Sequence, residues 1–203
     1  MKSLFRSQIG IENNFKAFKT CFTIVAIMLL TSSCTGSIMT TVKPYNSSVA
    51  SDKVLVTFLR PSNYGWAIAP SIWDGEKLIG TQEVLSYIQY FTDPGEHIFL
   101  SKHDNWNYLK AYLEPGKQYY VHTRVWAGFA SKGVILDPVK NNNQGEVNWE
   151  TINEWIKMCK PMGINKNDEK VYIESKLFEV KQAIQVFHSG NIEYKLLEAT
   201  DGR

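Results

Sequence analysis

Between Lys53 and Val139 the chain reads Val54-Leu55-Val56-Thr57-Phe58-Leu59, turns at Arg60-Pro61-Ser62-Asn63, runs from Ala67 to Trp73, and turns again at Asp74-Gly75 before Leu78-Ile79. The first run is rich in β-branched residues, the composition of a strand, and Asp74-Gly75 suits the positive backbone angles of a type I′ hairpin. Further along, Asp93-Pro94-Gly95 joins Glu83–Phe91 to His97–Ser101, and Glu114-Pro115-Gly116 joins Tyr108–Leu113 to Gln118–Trp126. Val134–Val139 is the last clear run. Short runs about ten residues apart, each closed by a turn signal, predict an all-β domain. The expected fold is mainly β: an antiparallel β-sandwich of seven or eight strands, immunoglobulin-like or transthyretin-like, over residues 52–140. The two Pro-Gly turns look like the tips of two similar hairpins.

Asn141-Asn142-Asn143-Gln144-Gly145 breaks this pattern, and helical spacing follows it. Ile152, Trp155, Ile156 and Cys159 recur at three and four residues before Pro161 and Gly163 stop the segment. Ile173, Leu177, Val180, Ile184 and Phe187 form a second apolar stripe that ends near Gly190-Asn191. Two C-terminal α-helices are therefore predicted in an extension over 146–203 that packs on the sandwich. Ile192, Tyr194 and Leu196 alternate, which predicts a short final strand. Side chains alternate across a strand, so Tyr90 with Phe91, and Tyr119 with Tyr120, cannot share one core. The second sheet face is either covered by these helices, the simpler account, or open to a glycan, a peptide or a partner protein.

The 203 residues are 44% hydrophobic and 21% charged with a net charge of +2, enough apolar content for one core. That balance excludes disordered and collagen-like chains and polytopic membrane proteins, and it lacks the basic excess of a nucleic-acid binder. The first 20 residues carry Lys2, Arg6, Lys16 and Lys19 against Glu12, and they precede the apolar run Cys21–Leu30. This is the order of a signal peptide, and the run is too short to span a bilayer. Leu30-Thr31-Ser32-Ser33-Cys34 resembles a bacterial lipoprotein signal, with Thr31 a departure from the usual aliphatic residue. The resemblance implies a leader over 1–33 and a lipidated, palmitate-bearing Cys34. Thr35 is not the Asp that retains such proteins in the inner membrane, so the outer membrane, facing the periplasm, is favoured. Residues 34–51 are Ser/Thr-rich without period and read as a flexible tether. Removal of the leader leaves 18 basic and 19 acidic residues. Cys159 becomes the one remaining thiol, so no intramolecular disulfide forms, and it is expected to be a small core residue.

No motif of known chemistry stands out. Gly75 to Gly80 has phosphate-loop spacing, but Thr81 replaces the Lys such a loop needs. His-Glu-x-x-His, paired Cys-x-x-Cys, the Gly-x-Ser-x-Gly elbow and an acidic Ca²⁺ loop are all absent from the sequence. The histidines His97, His103, His122 and His188 are scattered, and no metal, cofactor or catalytic residue is assigned. The best polar candidates are His103, Asp104 and Trp106, which join a base, a carboxylate and an aromatic ring in one loop. A second candidate group is Arg60, Tyr64 and Trp66 in the turn after the first strand. Arg60 is expected to pair with a carboxylate of the sheet.

Val56-Thr57-Phe58-Leu59-Arg60-Pro61-Ser62, Ile72-Trp73-Asp74-Gly75-Glu76-Lys77-Leu78-Ile79-Gly80, Asp93-Pro94-Gly95-Glu96-His97 and Leu113-Glu114-Pro115-Gly116-Lys117-Gln118-Tyr119-Tyr120-Val121 follow one another in the chain. In that order, over about residues 53–139, they resemble the bacterial lipoproteins grouped as domain of unknown function 2846. The resemblance implies an envelope-facing β-sandwich and brings no activity or site residues. The expectation is a lipid-anchored envelope protein that acts by binding or assembly, with the membrane as one partner and a protein or glycan as another, and without nucleic acid. The alternatives are a glycan- or peptidoglycan-binding module using exposed Trp and Tyr, or an envelope hydrolase with an unrecognised site. A glycan binder predicts that Trp66, Trp73, Trp106 or Trp126 lines a groove, and an assembly protein predicts a flat apolar patch.

Overall fold

A computed structural model describes residues 37–127, 132–141 and 147–203. The leader 1–33, Cys34 and Thr35 lie outside the described residues, as does most of the polar break after Asn141.

Eleven strands are described: β1 (Met39–Thr41), β2 (Val54–Arg60), β3 (Ser71–Asp74), β4 (Lys77–Thr81), β5 (Ser86–Thr92), β6 (Gly95–Lys102), β7 (Trp106–Leu113), β8 (Gln118–Ala127), β9 (Lys132–Pro138), β10 (Lys160–Ile164) and β11 (Lys195–Leu197). Two helices, α1 (Trp149–Met158) and α2 (Lys166–His188), lie in the C-terminal third. The strands form a six-stranded sheet in the order β1-β10-β5-β2-β8-β9 and a five-stranded sheet in the order β11-β7-β6-β3-β4. The architecture is the expected β-sandwich, and eight of its strands fall between Val54 and Pro138.

Both sheets are mixed, not antiparallel. β2 runs parallel to β8, β10 parallel to β5, and β11 parallel to β7. The two Pro-Gly turns are likewise not hairpin tips. β5 and β6 belong to different sheets, as do β7 and β8, so both turns carry the chain across the sandwich. A turn dictates that the chain reverses, but not that the strands it joins share a ladder. The antiparallel neighbours in sequence are β3–β4, β6–β7 and β8–β9. In the β3–β4 turn, Asp74 pairs with Lys77, and Gly75 has φ +53°. The other loop residue, Glu76, does not share a positive φ, which is the requirement of a II′ turn instead of I′.

The stretch read as a tether also contributes structure. Within it, Met39–Thr41 pairs with β10, Gln89 exchanges hydrogen bonds with the Tyr45 backbone at 2.7 and 2.9 Å, and the Tyr45 ring packs edge-on against Phe91 at 4.7 Å. Nor is the sandwich closed within 52–140, because β1, β10 and β11 complete its sheets from outside. Lys160–Ile164 was expected only as a helix stop. Pro161 and Gly163 do end α1, but the extended chain beyond them pairs with β1 and β5.

The core lies between the sheets, where Phe99 of β6 meets Phe58 of β2 at 5.3 Å and Tyr90 of β5 at 6.5 Å, ring to ring. Alternation then places every second residue outside, and the helices cover these outer faces. Ile152 of α1 forms a buried cluster with Leu59, Tyr87, Tyr120, Val139 and Cys159 on the six-stranded sheet. Tyr119 points into the main core and Tyr120 into this second one. α2 crosses the five-stranded sheet, burying Val180 and Ala183. Its Phe187 lies 5.7 Å from Tyr108, whose hydroxyl donates to the Ala183 carbonyl at 3.2 Å. Asn148 and Asn165 cap the two helices through their side-chain oxygens, satisfying amides that lack an intrahelical partner.

Candidate functional site

The antiparallel pair β6–β7 turns through His103, Asp104 and Asn105, and Trp106 opens β7. Residues paired across β3, β6 and β7 share a face, so Trp73, Leu100 and Tyr108 point together toward α2. Lys102 and Trp106 are also paired and share that face. The helix does not close over its end. It leaves a cleft of about 290 Å³ lined by Trp73, Lys102, His103, Trp106, Tyr172, Lys176 and Glu179, with Ala69 and Ser71 at its border. Trp73 is fully buried and forms its floor.

The polar groups of the cleft are held in place. Lys102 pairs with Glu179, and its Nζ lies 5.2 Å from the centre of the Trp106 ring, within cation–π range. The hydrogen bond from Lys102 keeps the Glu179 carboxyl below its ordinary value. Burial pushes the Tyr172 phenol up, against a hydrogen bond from Ser71 that lowers it. His103 Nε2 lies 3.6 Å from Asp104 Oδ1. The cleft thus sets aromatic rings beside charged and polar side chains.

Arg60, Tyr64 and Trp66 do not join this cleft. The Arg60 side chain is 1% exposed and faces carbonyls where a sheet carboxylate was expected. Nη1 donates to Ile68 O at 2.5 Å and Gln82 O at 2.9 Å, and Nη2 donates to Tyr64 O at 3.0 Å and Gly65 O at 2.9 Å. Burial lowers its pKa. Arg60 therefore holds its own loop in shape, and Tyr64 and Trp66 project from that loop into solvent.

Two polar constellations were not anticipated. The first is a cleft of about 490 Å³ between α1, β8, β9 and β11, lined by His122, Arg124, Asp137, Lys140, Trp155 and Lys195 among others. Asp137 pairs with both Arg124 and Lys195. Burial raises its carboxyl, and the two hydrogen bonds outweigh this and hold it low. His122 packs against Trp155 at 4.5 Å. These residues come from four distant segments, and no local motif marks them.

The second joins the sheets. Asp74 of β3 lies 2.9–3.0 Å from His97 Nδ1 and accepts from Tyr90 Oη at 2.9 Å and Thr92 Oγ1 at 3.4 Å. His97 Nε2 lies 2.9 Å from Asp93 O. With acceptors at both ring nitrogens the imidazolium is the favoured form, and its bond to Asp74 is the largest cause of its raised pKa. A histidine engaged at both nitrogens has none left to take a proton from a nucleophile. Its contacts are with Asp74 and the Asp93 carbonyl, so the turn signals at Asp74-Gly75 and Asp93-Pro94-Gly95 were the nearest clue.

Among the described residues, no group of three His, Cys, Asp or Glu side chains is placed to hold a metal ion, and no helix is long and apolar enough to cross a membrane. No family model, no curated protein and no solved structure matches the chain.

Proposed function

We propose that this chain is a lipid-anchored module of the bacterial envelope, held through acyl chains on Cys34, that binds a glycan-type ligand in the cleft between β6–β7 and α2. The observation that carries the binding role is that cleft: Trp106 and Tyr172 supply ring surface, and Lys102, His103, Lys176 and Glu179 supply hydrogen-bonding groups at its rim. Of the tryptophans a glycan binder was expected to use, Trp106 lines it as partly exposed ring surface, and Trp73 lies fully buried beneath it. The non-catalytic reading rests on the anchor and on the lack of a recognised catalytic motif in the sequence; His97 for its part is engaged at both ring nitrogens. The anchor rests on the charge-then-apolar order of the leader and on Ser32-Ser33-Cys34. Each buried methylene of an acyl chain contributes about 0.8 kcal/mol, so more than one chain gives a stable hold. The likeness to domain of unknown function 2846 rests on the four motifs, and outer-membrane placement rests on Thr35.

Calorimetric titration of the purified protein with soluble peptidoglycan fragments tests the ligand. Trp106→Ala is expected to weaken binding at least tenfold, about 1.4 kcal/mol. Fragments that bind the wild type and Trp106→Ala equally would refute the cleft. Palmitate labelling that is lost in Cys34→Ala tests the anchor.

Assembly with a partner protein is the second reading, favoured by Val171 and Phe178. Two turns apart on α2, each is 72% exposed. It predicts that Phe178→Glu abolishes co-purification of an envelope protein and leaves fragment binding intact.

A further inference from the structure

We infer that the loop 61–70 is a second membrane contact, with the Tyr64 and Trp66 rings seated in the interface of the bilayer that holds the acyl chains of Cys34. The inference rests on the lipid-anchored reading above, which supplies the bilayer.

The first observation is chemical. Pro61-Ser62-Asn63-Tyr64-Gly65-Trp66-Ala67-Ile68-Ala69-Pro70 contains no charged residue. Trp66 is 81% exposed, the most of any large apolar side chain among the described residues, and Tyr64 is 53% exposed. Rings with an apolar body and one polar edge are the side chains that settle at a membrane–water interface.

The second is mechanical. Most exposed loops are mobile, but this one is fixed from inside by the four bonds of the Arg60 guanidinium. A turn bond from Ile68 N to Gly65 O at 2.8 Å closes it. Gly65 has φ +66°, and a Cβ there would lie 2.8 Å from Val125 Cγ1, so the loop backbone is seated directly on β8. A buried cation without a carboxylate partner is a costly device. Here it fixes the backbone that carries two aromatic rings, so little backbone ordering entropy remains to be lost on contact.

The third is positional. At the base of the loop, Gln82 N donates to Pro70 O at 2.8 Å. The next residue, Glu83, accepts from Ser37 Oγ at 2.5 Å. Ser37 is three residues from Cys34, a reach of at most about 11 Å along the chain. The point where the domain meets the segment bearing Cys34 therefore adjoins the base of the aromatic loop. An exposed Trp in isolation fits a glycan or a protein as well as a membrane. An uncharged loop whose base adjoins Ser37, three residues along the chain from Cys34, fits the bilayer best. A lipid alone tethers a domain without orienting it, and a second contact fixes the orientation. Ala69 and Ser71 also line the β6–β7/α2 cleft, so this contact sets that cleft close to the membrane surface.

The test uses the full-length product purified from bacterial membranes and reconstituted into phosphatidylcholine vesicles, with and without bromine on the upper acyl chain. Brominated lipid is expected to quench tryptophan fluorescence, and Trp66→Phe is expected to remove most of that quenching. The substituted ring sits where the exposed indole did, so folding is checked by an unchanged Tm. Absence of quenching, or equal quenching in Trp66→Phe, overturns the inference, and loss of exposed Trp66 to a co-purifying glycan or protein does so as well. The anchor has a separate readout, the mass of the Cys34 peptide. If that peptide is unacylated the lipid reading fails, and the loop contact then stands only if the unacylated chain added to brominated vesicles still shows Trp66-dependent quenching.

Discussion

Replacing Arg60 by Lys keeps the charge and most of the aliphatic stem but removes the fork. In the wild type, Nη1 serves the Ile68 and Gln82 carbonyls and Nη2 serves those of Tyr64 and Gly65, two pairs of acceptors reached by two nitrogens. A single ammonium can sit at one pair, so two bonds to a charged donor are lost. Each is worth about 1.5–3 kcal/mol, which gives a destabilisation of about 3–6 kcal/mol. No desolvation is recovered in compensation, because the buried charge remains and an ammonium is more strongly hydrated than a guanidinium. For a domain of this size the loss corresponds to a fall in Tm of about 6–24 °C. Chemical denaturation reads the stability, and hydrogen exchange at the Ile68 amide reads the loop. Arg60→Lys within about 0.5 kcal/mol of wild type, with unchanged exchange at Ile68, would refute the claim that Arg60 shapes the loop.

The remaining predictions concern the core, the sheet-bridging polar cluster and the buried thiol. Phe99→Ala empties the contact between the sheets with Phe58 and Tyr90 and is expected to cost about 3–5 kcal/mol by denaturant titration, so a loss below about 1 kcal/mol would mean the sheets pack elsewhere. His97 has its pKa raised, chiefly by its bond to Asp74. A raised folded-state value means the stabilisation is complete below the unfolded pKa of about 6.5 and disappears as pH rises through the folded one. Wild-type stability should therefore fall as pH climbs past that unfolded value, and His97→Gln, about 1.5–3 kcal/mol weaker in acid, should lack that step; a step of equal size in both proteins would exclude His97 as its source. Cys159 is buried against the Arg60 carbonyl with its thiol pushed up to about 11. Ellman's reagent at about pH 7.5 should react with it more than roughly a hundredfold slower than with a denatured control, and prompt native labelling would show that α1 opens readily.

The legible parts of the sequence were those set by neighbours in the chain. Val54–Leu59 forms a strand because β-branched residues fit an extended, packed backbone, and Gly75, Gly95 and Gly116 reverse the chain because each takes a positive φ. Tyr119-Tyr120 already implied two apolar faces, and the stripes at Ile152 and Val180 marked the helices that cover them. The cluster His103, Asp104 and Trp106 was visible because three chemically distinct side chains share one short loop. Its partners Tyr172, Lys176 and Glu179 were not, since they reach it from a helix about 70 residues away. Arg60 shows the same limit: a cation in a turn suggests a carboxylate, and only the folded loop supplies four carbonyls in its place.

By itself the chain determined most strands between Val54 and Pro138, the turns that close them and the two helices behind them, because propensity, alternation and turn chemistry act over a few residues; β1 and β10 were not among them. The tertiary structure alone decided that β2 lies beside β8, that β10 and β11 enter the sheets in parallel, and that Asp74, Tyr90 and His97 meet between them. Every strand edge offers the same backbone donors and acceptors, so the choice of partner is made by the packing of all the side chains at once.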